Sequence, residues 1–137
     1  MNLLQQSSLA WKEITEYQYL FTYEMIKPRL EAIIHLKSSL DNDFTLYSYM
    51  PRMYPFITNI KADYLIASHM HIDSFIFIIR STPQNEAKLN FLCCSIFKES
   101  ERNYETNQRT RTLLKKERIH IPSNTSVILF DKLNASQ

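Results

Sequence analysis

The sequence predicts an α+β fold, a mostly antiparallel sheet of about four to five strands with helices packed on one face. Two observations carry that prediction. Residues 63–97 hold three short apolar runs, Asp63–Ala67, Ser74–Arg80 and Leu89–Phe97, rich in the Ile, Phe and Tyr that suit a pleated surface. Each run is too short for a typical helix, and polar or Pro-containing connectors separate them. A polar, basic, helix-like segment, Glu101 to Arg118, then follows the block of strands.

The other elements are read in chain order. Leu3 to Lys12 suits a short helix. Tyr17, Tyr19, Phe21, Tyr23 and Met25 alternate with mostly polar residues, and a period of two puts four aromatic rings on one face of a strand. Lys27-Pro28-Arg29 ends that strand, with Pro28 suited to the first position of a helix. Leu30, Ile33, Ile34 and Leu40 continue at helical spacing, and Asp41-Asn42-Asp43 closes the helix. Pro51 and Pro55 rule out an uninterrupted helix over 44–60, so an irregular stretch and a short helix from Tyr54 to Ile60 are expected. Ile119–Ile121 and Ser126–Phe130 are expected as final strands, and residues 134–137 as a frayed tail. No repeat or linker interrupts the pattern, so one domain over 1–137 is expected.

Composition narrows the function. An apolar fraction of 45% argues for a folded chain. No apolar run approaches the ~20 residues that span a bilayer. The start of the chain lacks the basic residues of a secretory signal, so a cytoplasmic protein without a membrane partner is expected. Cys93 and Cys94 are adjacent on a predicted strand and are read as free, buried thiols in a reducing compartment. No CxxC pair signals zinc. Glycine is absent from the chain, where average usage would give roughly ten. That excludes glycine-rich phosphate loops, and with them a nucleotide cofactor. It also leaves tight turns and helix ends to Asn, Asp, Pro and Ser. The net charge of +2 is unevenly spread. Residues 101–118 hold six Lys or Arg against three Glu, and the first 43 residues hold four against six Asp or Glu. The basic segment fits a phosphate-binding surface and, more simply, a solvated helix face.

Several side chains could carry chemistry. Histidine is the usual proton carrier near neutral pH. His35 lies at the edge of a helical apolar stripe, as a packing residue or as a base at the rim of the sheet. His69 and His71 share a face of an extended turn, where Asp73 is the one further metal ligand nearby, so no metal site is expected. His120 alternates with isoleucines on a strand. On a helical wheel Tyr104, Gln108, Arg111 and Lys115 form one stripe, which would hold a phosphodiester with arginine on its oxygens. The same stripe would also suit a helix covering a sheet edge. Ser95, inside an apolar run, is either a satisfied core hydroxyl or a group opening into a site. Arg52, between Pro51 and Met53, would clamp a phosphate or pair with a carboxylate. No carboxylate cluster of metallonuclease type is evident, so any nuclease chemistry is expected to need no metal or other cofactor.

The order Ala62–Ile66, Phe75–Phe77, Ser95–Phe97 and Tyr104-x3-Gln108-x5-Leu114 resembles the C-terminal half of a phage-associated nuclease family. Its name joins barnase, EndoU, colicin and RelE. The aromatic segment Tyr17–Met25, the pair His35-Leu36 and the pair Arg52-Met53 extend the resemblance over about residues 17–118. It implies a compact helix-plus-antiparallel-sheet fold and metal-independent RNA cleavage. By the same resemblance His35 would be the general acid or base, Arg52 would contact phosphate, and Ser95, Tyr104 and Gln108 would line the site. One departure is clear: Lys37-Ser38-Ser39 stands where the family usually has a glycine-containing turn. A member that kept the fold and lost or changed its activity is therefore one outcome.

Three functions follow as expectations. The first is an RNase of phage or mobile-element origin, with His35, Tyr104 and Ser95 catalytic and Arg52, Gln108 and Arg111 on the phosphate. The second is a small inhibitor or interaction module that binds a protein, such as a host defence nuclease, through the Tyr17–Tyr23 aromatics. A plain nucleic-acid binder using residues 102–118 is a third. RNA or a protein is thus the expected partner.

Overall fold

A computed structural model describes residues 20–81, 89–99 and 102–134. Two helices open it, α1 (Leu20–Ile34) and the short α2 (Leu36–Asp41). His35 separates them with φ −93° and ψ 4°. Strands β1 (Thr45–Ser48), β2 (Tyr64–Ser68), β3 (Ser74–Arg80), β4 (Phe91–Lys98) and β5 (Arg109–Arg111) form an antiparallel sheet in the order β4-β3-β2-β1-β5. A separate hairpin joins β6 (Lys115–His120) to β7 (Thr125–Asp131). The fold is α+β, as predicted. Among the described residues no helix is long and apolar enough to cross a membrane.

Strand pairing sorts the side chains into two faces, because directly opposed residues share one. Tyr47, Leu65, Ala67, Phe75, Phe77, Ser95 and Phe97 stand on the same side. That side is the core, completed by Tyr49, Tyr54 and Tyr104. Its cover is irregular chain, with Phe56, Ile60 and Ala62 from one segment and Tyr104 from another. Tyr104 meets the rings of Tyr54, Phe56, Phe75 and Phe77 edge-on, with centroids 5.2–5.5 Å apart. This arrangement sets the positive rim of one ring against the negative face of another. On the other side of the sheet Ile66, Ser68, Ser74 and Ile76 are buried. There α2 closes down, with Ser39 Oγ 3.5 Å from Ser74 Oγ. Helix α1 packs along β4, and Lys98 ties to Glu31 at 3.2 Å.

Asparagine takes over the duties of the missing glycines. Asn42 ends α2 in an extended conformation, and both its backbone N–H and its side-chain amide donate to the Ser38 carbonyl, at 3.1 and 2.8 Å. The positive-φ residues among those described are Asn107 (59°) and Asn124 (51°), and Asn is the side chain that best tolerates that region after glycine.

Several expectations need correction. Residues 102–118 are not a helix; they are a turn, β5 and the start of β6. The apolar positions there are too few for a helical stripe, and the buried Tyr104 ring and the positive φ of Asn107 fix a turn instead. Residues 20–25, expected in an aromatic strand, belong to α1, and Pro28 lies within that helix rather than at its start. The alternation of aromatics is outweighed by Glu24, Met25, Lys27, Arg29, Leu30, Glu31 and Ala32, good helix formers that carry one continuous helix through Pro28. Residues 17–19 and the expected helix Leu3–Lys12 lie outside the described residues. No helix forms over Tyr54–Ile60; Pro51–Met53 makes a 3-10 turn and Tyr54 is extended. Strand β1 went unforeseen, since four half-buried residues carry little periodicity. Cys93 and Cys94 are free, as expected, but exposed rather than buried. They sit at a bulge where the β3–β4 register shifts opposite Ile78.

Candidate functional site

A basic cleft forms where α1 crosses the end of β4. The Arg29 Nη1 donates to Ser95 Oγ at 3.1 Å, and the guanidinium stacks over Phe97, 5.5 Å from the ring centroid. From the opposite wall, Arg102 lies over Phe56 at 5.2 Å and donates from Nη1 to the Ile57 carbonyl at 3.0 Å. Lys98 adds a third cation. With Asn59, Ile60 and Tyr104 these side chains line a cavity of about 350 Å³. Neither guanidinium has a carboxylate partner among the described residues. Two unneutralised planar cations over aromatic rings form a favourable seat for a phosphate, which guanidinium binds with two parallel hydrogen bonds.

The six residues singled out from sequence are spread over the molecule. Tyr104 lines this cleft, and Ser95 joins it through its bond from Arg29. Gln108 faces the backbone instead: its Oε1 accepts from the Met50 N–H at 2.6 Å, and its Nε2 donates to the Met50 carbonyl at 3.0 Å. Arg111 pairs with Leu46, whose side chain points away from the core face carrying Tyr47, and its Nε donates to Ser48 Oγ at 2.6 Å. Arg52 is exposed on the 3-10 turn. His35 lies at the helix junction, half-buried, its ring centroid 6.0 Å from that of His71.

A second cluster lies where the chain leaves β4. His69 is held at both ring nitrogens, Nδ1 2.6 Å from Asp73 Oδ1 and Nε2 2.7 Å from Glu105 Oε1. The Asp73 and Glu105 carboxylates raise its pKa above the ordinary imidazole value. Glu105 also bonds Tyr47, whose phenol is raised chiefly by burial. His69, Asp73 and Glu99 bring one ligand atom each within 4.8 Å of one another, so they are the residues able to approach a cation, although both imidazole nitrogens already face carboxylates. Thus one stretch of chain sends Lys98, Arg102 and Tyr104 to the cleft and Glu99 and Glu105 to His69.

A larger apolar groove of about 540 Å³ lies between α2 and the β6–β7 hairpin. Its rim charges neutralise one another, Asp41 pairing with both Lys37 and Arg118. Sequence reasoning missed Arg29, Lys98, Asn59 and Arg102. Arg102 was counted in the basic segment but assigned to a helix, and Arg29 was read only as the residue after a strand-breaking proline.

No curated protein and no solved structure is found to match the chain. A family model does match, that of the phage-Barnase-EndoU-ColicinE5/D-RelE like nuclease 4 family, over residues 21–133. Those residues include both helices from Phe21 onward, the whole sheet, the basic cleft and the hairpin. The chain belongs to this family of phage-type nuclease-like domains.

Proposed function

We propose that this nuclease-like domain cleaves RNA without a metal and holds the scissile phosphodiester in the Arg29–Lys98–Arg102 cleft. The observation that carries the reading is the convergence of three cations on a cavity lined by Tyr104 and Phe97. RNA supplies its own nucleophile. The 2′-oxygen attacks phosphorus, the P–O5′ bond breaks, one group takes the 2′-hydroxyl proton and another protonates the departing oxygen. Negative charge grows on the phosphorane, and the guanidinium groups stabilise it best when fixed in advance, as Arg29 and Arg102 are by Ser95, Phe97, Ile57 and Phe56. Tyr104 is a hydrogen-bond donor on the same cavity, which supports a role at the departing oxygen. In this reading Tyr104 is the proton carrier on the cavity itself, while His35, at the helix junction, and the His69–Glu105 pair lie outside its lining and are tested as carriers by substitution. Arg52, Gln108 and Arg111 act away from the cleft, on flanking phosphates or on the fold.

The test uses labelled RNA in EDTA with the purified chain and its Arg29→Ala, Tyr104→Phe, His35→Ala and His69→Ala variants. Cleavage by the wild type and a loss of at least tenfold in Arg29→Ala are expected. Intact RNA at high wild-type concentration would end the catalytic reading. A protein-binding module without catalysis draws on a different observation, the exposed Ile119, Val127, Ile128 and Phe130 of the β6–β7 hairpin. Under it, RNA stays intact and substitution of those residues removes partner binding.

A further inference from the structure

A second cavity adjoins the basic cleft. It measures about 310 Å³ and is lined by Asn59, Ile60, Lys61, Cys94 and Ser95. Asn59 and Ile60 line both cavities, so the two are compartments of one groove. The Arg29–Ser95 bond, 3.1 Å long, marks the boundary between them. Each compartment is at the small end of pockets that hold ligands. Each also has its own cation: Lys61 in the second, with Arg29, Lys98 and Arg102 in the first. The Lys61 ammonium is exposed and makes no hydrogen bond or ion pair among the described residues. Its backbone is fixed, because the Lys61 carbonyl accepts from the Cys94 thiol at 3.4 Å while that thiol also reaches the Phe77 carbonyl at 3.4 Å. The lysine is therefore anchored to the sheet at its root and free at its tip.

From this groove we infer that the chain engages at least two consecutive phosphates of single-stranded RNA, one in the Arg29–Arg102 compartment and the next against Lys61. This rests on the phosphodiester reading of the cleft. A single nucleotide would fill one compartment and leave the other cation unused. Single strands are bound by a cationic groove that follows the backbone together with flat surfaces for unpaired bases. Arg29 stacked on Phe97 is such a surface, since guanidinium planes and aromatic rings both take bases. Asn59, at the shared wall, has an amide to offer a base edge or the linking ribose.

The experiment measures binding of the 137-residue chain to two uncleavable 2′-O-methyl ligands, a dinucleotide with one phosphodiester and a trinucleotide with two. The wild type is expected to bind the trinucleotide at least fivefold more tightly. Lys61→Ala should remove that advantage and leave dinucleotide binding unchanged, and Lys61→Arg should restore it. Arg29→Ala should weaken both ligands. If Lys61→Ala leaves the trinucleotide advantage intact while Arg29→Ala weakens both, the second compartment is refuted and the cleft reading stands. Equal weakening of both ligands by Lys61→Ala also refutes it, because that pattern is general charge loss. If Arg29→Ala weakens neither ligand, the cleft reading falls and this inference falls with it.

Discussion

Single atoms decide how Tyr104 is held. The Tyr54 hydroxyl donates to the Tyr104 carbonyl, and both residues are buried. Burial pushes the Tyr54 phenol pKa upward, so it stays a neutral donor across the physiological range. Tyr54→Phe keeps the ring and strands the carbonyl, which should lower stability by about 1–3 kcal/mol in urea unfolding. His69 makes a different prediction. Its folded pKa lies above the ordinary 6.5, because Asp73 and Glu105 bind the imidazolium. Its stabilisation is then complete below the unfolded value and disappears as pH rises through the folded one. The gap in stability between wild type and His69→Ala should be wide near pH 5.5 and close by pH 9; a gap that does not vary with pH would refute the ion-pair account. Some of this was legible in sequence. Tyr104 and Ser95 stood out as an aromatic in a polar stretch and a hydroxyl in an apolar run. The His69 partners did not, since Glu105 is 36 residues away and only the fold brings it near.

Elements were legible where short, dense apolar runs stood between polar connectors. Strands β3, β4 and β7 have enough Ile and Phe to declare themselves, and β2 does so with Tyr64, Leu65 and Ile66. The segment 102–118 misled because its charges recur at helical spacing, although its structure is set by contacts from far away. Gln108 is the clearest such contact, clasping both the N–H and the carbonyl of Met50, 58 residues distant. Gln108→Ala should cost about 1–3 kcal/mol, because it leaves the Met50 N–H unpaired, while the Met50 carbonyl keeps the Met53 N–H at 3.0 Å. It should also weaken RNA binding modestly, by loosening the turn that carries Tyr104. A Gln108→Ala protein of unchanged unfolding midpoint and sharply reduced RNA affinity would instead assign the amide to the ligand. The α1 error has a similar cause: the alternation at Phe21, Tyr23 and Met25 was outweighed by the longer helix those three residues belong to.

Across the whole molecule, net charge says little and placement says much. The chain carries only +2, yet Arg29, from the acidic N-terminal third, joins Lys98 and Arg102 at one cavity. The affinity for single-stranded RNA should therefore fall with salt, with a log–log slope of about −1.4 if two phosphates are neutralised. A slope near zero would remove RNA from the list of ligands. The family was readable from short motifs across the chain, while the cleft was not, because its walls come from three segments with no common pattern.

The irregular cover of the aromatic face bears on how such a domain diversifies. Segments 49–62 and 102–108 supply most of the cleft wall, while the hydrogen-bonded ladder beneath them supplies its support. Substitutions confined to that coil can then reshape the cleft without touching the pleated framework beneath it.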